Sequence, residues 1–301
     1  MLRDWLELIR VPNVFTAMAD VAMGFFFVMP AAAEFDGSDA LTLGLLIAAS
    51  SLLYSAGMAL NDVCDYEEDC RERPERPLPS GRITRRAAAW LGVGLLIAGL
   101  LFAAIASVMV VSPAPALAAG CLACAVVLYD LLLKHSWFGP VALGACRALN
   151  VALGMSAFEA SRDAAGLHVA GAVGLFVVGF SVMARGETRR GTRAAVLLGA
   201  VLMTAAVGSL AWLPEWRPIL AQTTPWRWMV VFLALLVAWR CSRALVDPSP
   251  AAVQRAVGQS IRSLVVLDAL IIFAVAGLAP SVAVLLLLVP NIVLGRWFYS
   301  T

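Results

Sequence analysis

Charge is what this sequence has least of. Of its 301 residues only 14% are Asp, Glu, Lys or Arg, while 61% are hydrophobic and the mean hydropathy is +0.87. Soluble domains carry roughly 25% charged residues, so a water-soluble globular fold is excluded. Also missing are the alternating segments of about ten residues that build a transmembrane barrel. A net charge of +2 carries no nucleic-acid signature. No disulfide framework is legible either, because Cys64, Cys70, Cys121, Cys124, Cys146 and Cys241 lie in apolar segments or at their ends and read as reduced small residues. The Cys121-x-x-Cys124 pair sits inside a predicted span with no companion ligands for a metal.

What is present is a succession of apolar runs of roughly 17 to 25 residues, the length that crosses a hydrocarbon core. Backbone groups in lipid must be satisfied within their own segment, so these runs are helices. Spans are expected at about 11–28, 41–60, 86–111, 114–133, 140–158, 167–183, 194–213 and 226–246. Pro280 divides the remaining apolar region into two spans, 263–278 and 281–298, or into one span and a re-entrant piece. The expectation is an all-α polytopic bundle of nine to ten helices, forming a single membrane domain over 1–301. Ala31-Ala32-Ala33 resembles a processing site, but Asn13 and Asp20 interrupt the preceding run, so the first helix is read as retained. Lys and Arg concentrate at the N-terminus and in alternate loops, which places that end of the bundle in the cytoplasm and the protein in the inner membrane.

Scarce carboxylates make their one concentration informative. Asp62, Asp65, Glu67, Glu68 and Asp69 crowd the end of the second span, followed by Arg71, Arg73, Arg76 and the run Arg76-Pro77-Leu78-Pro79-Ser80-Gly81-Arg82. On a continuing helix Asn61, Asp65 and Asp69 are spaced i, i+4, i+8, so their oxygens share a face. Such crowding repels unless a cation relieves it, and an all-oxygen set suits Mg²⁺, which characteristically takes one or two carboxylates, waters and substrate phosphate oxygens. The arginines just downstream suit the remaining oxygens of a diphosphate. Acids for metal and bases for phosphate, at the mouth of an apolar bundle, fit a diphosphate carried on a lipid tail. A solvated loop with weak surface ion pairs is the plainer reading.

The string Asn-Asp-x-x-Asp-x-x-x-Asp, with Arg-Pro-Leu-Pro-Ser-Gly-Arg after it, resembles the first aspartate-rich motif of the UbiA superfamily of intramembrane prenyltransferases. Leu8-Ile9-Arg10-Val11-Pro12-Asn13, Tyr129 with Leu133-Lys134, and Gly144-x-x-Arg147-x-x-Asn150 resemble further elements of that family. The resemblance implies a ring of helices around a central cavity and transfer of an isoprenoid chain from an allylic prenyl diphosphate to a lipid-soluble or amphipathic acceptor, with an electron-rich ring as the expected nucleophile. It implies Mg²⁺ as cofactor, surrounding membrane lipids and no nucleic-acid partner. Carried over, Asn61, Asp62, Asp65 and Asp69 are metal ligands, Asp62, Asp65, Asp69, Lys134 and Tyr129 are catalytic, and Asn13, Arg76, Lys134, Arg147 and Asn150 contact substrate. The family's second Asp-x-x-x-Asp pair falls here on Ala184 and Thr188. Glu187 is left as the acid of that loop, with Arg185 and Arg189 as added cations, a pattern similar to the EboC-like branch.

Other features admit more than one reading. Asp20 and Asp268 lie inside spans, where an ionisable group is costly, and either orients an acceptor or pairs with a neighbouring helix. Tyr54, Phe102, Phe158, Phe176 and Phe180 are candidates to face an allylic cation. His135 and His168 read as interfacial, and Gln254, Arg255, Gln259 and Arg262 as lining the cap. The rival classes are a transporter with a cation-binding gate, which would show inverted repeats, a CDP-alcohol phosphotransferase, whose Asp-Gly-x2-Ala-Arg signature is missing, and a lipid-binding relative with reduced turnover.

Overall fold

The computed structural model describes residues 2–30, 34–158, 163–185, 193–218, 220 and 225–298, and the described residues contain helices and no strands. Ala31–Ala33 lie outside them. The elements are α1 (Leu2–Leu8), α2 (Val11–Val28), α3 (Gly37–Cys64), α4 (Tyr66–Glu72), α5 (Arg85–Met109), α6 (Ala114–Leu128), which runs into a π turn at Tyr129–Leu133, and α7 (Gly139–Met155). They continue as α8 (Ala164–Ala184), α9 (Arg193–Ser209) with a 3-10 turn at Leu210–Glu215, α10 (Trp226–Val246), α11 (Pro250–Ala276), α12 (Leu278–Leu285) and α13 (Leu288–Leu294). Eight helices are long and apolar enough to span a membrane, and Gly139–Met155 and Leu278–Leu294 are shorter apolar pieces.

Side-chain caps decide where several spans begin. Asp36 accepts the amides of Ser38 and Asp39 at 2.8 and 3.0 Å while Asp39 reaches back to the Asp36 amide, a reciprocal box at the start of α3. Thr84 and Asp163 accept the Ala87 and Gly166 amides as single caps at the starts of α5 and α8. The C-terminal region departs from expectation. The polar stretch with Gln254, Arg255, Gln259 and Arg262 is continuous with the following span in one 27-residue helix, α11. The break falls at Gly277, not Pro280: Gly277 has φ +86, a left-handed conformation only glycine adopts without strain, and Pro280 falls in the first turn of α12, where no amide is required.

Each span packs on its sequence neighbour, α2 on α3, α3 on α5, and so on to α10 on α11, and α11 closes the ring on α2. Across the ring α2 also packs on α7. That crossing is backbone to backbone: a Cβ on Gly154 would stand 2.1 Å from the Val21 carbonyl oxygen, and one on Gly24 would stand 2.3 Å from that of Val151. With no hydrophobic driving force between helices in lipid, such small-residue contacts supply the dispersion energy of association. Outward faces remain apolar, with Trp90, Leu101, Leu131 and Leu235 all more than half exposed, as an integral membrane protein requires. Phe102 belongs to this outer surface, at 37% exposure, which removes it from the cation-facing candidates. Phe176 and Phe180 pack edge to face at 6.3 Å, and Phe158 packs on Phe25 at 5.0 Å.

Candidate functional site

The acidic cluster lies where α3 gives way to α4. Asp65 interrupts the helix, yet its amide still bonds the Asn61 carbonyl at 2.9 Å and the Asp69 amide bonds the Asp65 carbonyl at 2.8 Å. The i, i+4, i+8 register therefore survives the interruption. Asn61, Asp62, Asp65 and Asp69 are all buried, at 5, 5, 9 and 4% exposure, which rules out a solvated loop. Burial of so many carboxylates requires partners. Arg76 Nη1 holds Asp69 at 2.8 and 3.0 Å and stands 3.6 Å from Asp62, and Arg10 Nη2 donates to Asp62 at 3.1 Å.

The loop after α4 explains how Arg76 is held. Ser80 Oγ donates to the Arg76 carbonyl at 2.6 Å, Gly81 turns the chain with φ +76, and Leu78 packs with Leu8, Ala59, Ile83 and Ala88. Arg82 then ties the loop to α1 through Asp4 at 2.6 Å. Arg10 has a left-handed backbone, φ 49 and ψ 52, which costs a non-glycine residue about 1 kcal/mol. That conformation ends α1 and begins α2, and its guanidinium is spent on Asp62.

The opposite wall comes from the end of α6. Its π turn is closed by the Lys134 amide on the Tyr129 carbonyl at 2.9 Å, and such one-residue expansions recur at functional sites. Asp130 and Lys134 thereby both reach α3: Asn61 Nδ2 donates to Asp130 Oδ1 at 3.0 Å, Lys134 Nζ donates to Asn61 Oδ1 at 3.0 Å, and Lys134 also pairs with Asp65. Asp130 Oδ2 is buried with no partner among the described residues. Burial, reinforced by the nearby Arg10 charge, pushes the Lys134 ammonium down to about 8, with Asp62 acting against them. Arg185, at the end of α8, donates to the Lys134 and Ser136 carbonyls, both at 2.7 Å, and so braces the loop that carries Lys134. Gly139 leaves space for it: a Cβ there would stand 2.2 Å from Arg185 Nη2.

A second polar cluster lies deeper in the bundle. Arg147 on α7 pairs with Asp20 on α2 and donates to Thr16 Oγ1 at 2.6 Å. Asn150 donates to Asp20 at 3.1 Å and to the Ala17 carbonyl at 2.9 Å, and accepts Ser50 Oγ at 2.6 Å. Arg147 also stands 5.8 Å from the Tyr54 ring, and Tyr54 in turn hydrogen-bonds Asn13. Asp268 on α11 is fully buried beside them, next to the Asp20 carboxylate and within reach of the Arg147 charge. Asp20 is thus paired with a neighbouring helix, one of the two roles open to it.

Residues 21–263 match the UbiA prenyltransferase family. The chain belongs to that family. Among its relatives, the digeranylgeranylglyceryl phosphate synthase of Saccharolobus solfataricus is 30% identical over 160 residues, 52% of each chain. The enzyme of the same name from Sulfolobus acidocaldarius is 37% identical over 100 residues, 33% of this chain and 34% of that one. These alignments span about half the length of the curated relatives or less. In fold, a UbiA homolog from Archaeoglobus fulgidus bound to GPP and Mg²⁺ superposes with a TM-score of 0.66 at 16% identity, covering 94% of this chain and 99% of that one.

Within this UbiA-family chain, Asn61, Asp62, Asp65, Asp69, Arg76 and Lys134 converge on one site, with Tyr129 at the foot of the turn that presents Lys134. Asn13, Arg147 and Asn150 belong to the deeper cluster, and Arg185 braces the wall. Glu187 and Arg189 lie outside the described residues. The sequence reading does not single out Asp130, and it gives no place in the site to Arg10, quoted only within the entry motif, or to His135, read as interfacial. Asp130 had a signal, a carboxylate at the end of an apolar span four residues before the chain's only lysine. His135 stands 3.7 Å from Asp65, and Asp65, Glu68 and His135 present ligand atoms within 4.8 Å of one another. Its ring is mostly exposed at the end of a span, as an interfacial residue is, and it borders the site.

Proposed function

We propose that this protein is a Mg²⁺-dependent intramembrane prenyltransferase, a single membrane domain that moves an isoprenoid chain from an allylic diphosphate to an acceptor nucleophile. The observation that carries the reading is the convergence of buried Asn61, Asp62, Asp65, Asp69 and Asp130 on Arg10, Arg76 and Lys134 at one end of an apolar bundle. The donor set fits a hard cation: its ligand atoms are oxygens, its carboxylates are crowded, and Asp130 Oδ2 is left over. Asn61, Asp62, Asp65 and Asp69 would hold the ion, with Glu187 as a further ligand. When bound, Mg²⁺ neutralises the negative charge that builds on the departing diphosphate.

The chain's own residues do the rest. Arg76, Arg10 and Lys134, freed from their carboxylates as cation and substrate enter, bind the diphosphate oxygens and hold them in line. Asn13, Arg147, Asn150 and Arg185 support the walls around that position, and Arg189 adds charge at the loop. Tyr129 and the apolar interior exclude water from the allylic carbon. The bond between that carbon and the bridging diphosphate oxygen breaks, a bond to the acceptor forms, and the acceptor loses a proton. Ring carbon and lipid hydroxyl acceptors both satisfy this balance, and the relatives' name favours a glyceryl phosphate. Arginine-rich connections at the site end support a cytoplasmic site in the inner membrane. The replacement of the family's second aspartate pair by Ala184 and Thr188 favours one other reading, an isoprenoid-lipid binder with little turnover.

The test is diphosphate release by purified protein from geranyl, farnesyl and geranylgeranyl diphosphates, with membrane extract as acceptor source. Mg²⁺-dependent release that disappears in Asp65→Ala/Asp69→Ala supports transfer. Binding without release supports the binder, and binding that ignores both Mg²⁺ and the double variant sinks the metal site.

A further inference from the structure

Two adjoining cavities, of about 290 and 380 Å³, open at the site end of the bundle around the beginning of α11. They share Arg255 and Gln259. The smaller adds Arg240 and Arg243 of α10, and the larger adds Arg262 of α11 and Arg296 after α13. No carboxylate lines either cavity, and none of these five arginines forms an ion pair among the described residues. Their visible contacts are modest: Arg240 donates to Ser263 Oγ at 3.0 Å, Arg255 and Arg262 each bond a carbonyl one turn back on their own helix, and Arg243 covers the Trp239 ring at 5.6 Å.

Uncompensated guanidinium groups around concave space repel metal ions and attract anions, and their forked donors match phosphate oxygens. The first turn of α11 also lines the smaller cavity through Ala252, adding the positive end of that helix. The arginines of the acidic site, by contrast, are consumed by Asp62 and Asp69. The larger cavity is bounded by Pro12 and Asn13, in the first turn of α2, and Arg10 just before that turn holds Asp62. The two sites therefore flank one helix end. The surroundings are those of a membrane interface. Trp239 and Trp297 are mostly exposed at this level, and Val289, Ile292 and Val293 leave the outer face of α13 apolar.

We infer that these cavities form a second, metal-independent anion site that holds the phosphate group of a membrane-borne acceptor beside the diphosphate site. Only the acceptor role rests on the prenyl-transfer reading; the anion site stands by itself. Neutral lipids and lipids whose charge is a lone carboxylate lack the oxygens to engage several arginines at once.

The experiment is a binding titration of the full chain in maltoside detergent with EDTA present, read by native mass spectrometry. Dioleoyl phosphatidic acid is the probe, with dioleoylglycerol, oleate and glycerol phosphate as competitors. Expected is phosphatidic acid binding that weakens about tenfold or more in Arg255→Gln/Arg262→Gln and separately in Arg243→Glu, the loss of one or two charge-assisted hydrogen bonds. Asp65→Asn should leave it unchanged. Each arginine variant must still bind geranylgeranyl diphosphate with Mg²⁺ as the parent does, which separates a lost site from a lost fold. Equal binding by the arginine variants, dependence on Asp65, or competition by oleate overturns the site. Competition by glycerol phosphate at equal concentration overturns its assignment to a membrane-borne ligand. Phosphatidic acid binding without any diphosphate release would defeat prenyl transfer and leave the anion site standing.

Discussion

Asn61 joins the two walls of the site: one amide bonds Asp130 through its nitrogen and accepts Lys134 through its oxygen. Asn61→Leu removes both contacts while preserving bulk. Lys134→Gln keeps an amide donor but removes the charge that faces Asp65. Loss of a hydrogen bond to a charged group costs about 1.5–3 kcal/mol, so diphosphate release by Lys134→Gln is expected to fall roughly 10- to 100-fold, as a release assay at saturating Mg²⁺ would read. Lys134 is also the chain's only lysine. Amine acylation followed by peptide mass spectrometry should therefore mark one side chain, and Mg²⁺ with geranylgeranyl diphosphate should protect it. Labelling that ignores the ligands would separate Lys134 from the substrate position. In the deeper cluster Arg147→Leu leaves Asp20 charged and buried, a loss of about 3–5 kcal/mol. Asp20→Leu/Arg147→Leu should recover much of it in a thermal melt, because the pair goes as a unit.

At the scale of elements, the α2–α7 crossing sets where both polar clusters stand, since α2 carries Asp20 and α7 carries Arg147 and Asn150. A Gly154→Ala methyl has no space against the Val21 carbonyl. Overpacking of this kind costs about 1–3 kcal/mol, and a lower unfolding midpoint in detergent is the expected sign. Gly139→Ala is a different lesion. Its methyl displaces Arg185 from the Lys134 and Ser136 carbonyls and also stands 2.6 Å from the Lys134 carbonyl oxygen itself, so the loop that carries Lys134 shifts and activity should drop together with the unfolding midpoint. The break at Gly277 and the π turn at Tyr129–Leu133 show the same division of labour. In each, one local irregularity re-aims the next segment of the chain.

On the scale of the whole molecule, a ring of apolar helices keeps most of its charges at its two ends, with Asp20, Arg147 and Asp268 held inside. Asp163–Arg217 at 2.6 Å and Glu215–Arg227 at 2.9 Å close the end away from the site. Asp62, Asp65, Asp69 and Asp130 are crowded together in the acidic site, so Mg²⁺ is expected to raise the unfolding midpoint, and Mg²⁺ with a prenyl diphosphate to raise it further. Saturation at about 100 times the dissociation constant corresponds to roughly 2.7 kcal/mol. The rise should vanish in Asp65→Asn/Asp69→Asn, and its persistence there would place the cation elsewhere.

The sequence by itself determined the class of protein, most of the span boundaries and the face shared by Asn61, Asp65 and Asp69. Those follow from short-range rules: hydrocarbon thickness and the helical repeat. It could not say that Asp130 and Arg10 complete the site, that Arg147 spends its charge on Asp20, or that arginines of α10, α11 and the segment after α13 surround common cavities. Each of those depends on which helices become neighbours. That choice is made by contacts such as Gly24 and Gly154 against opposing backbone, which carry no periodic signal and exist only once the ring has closed.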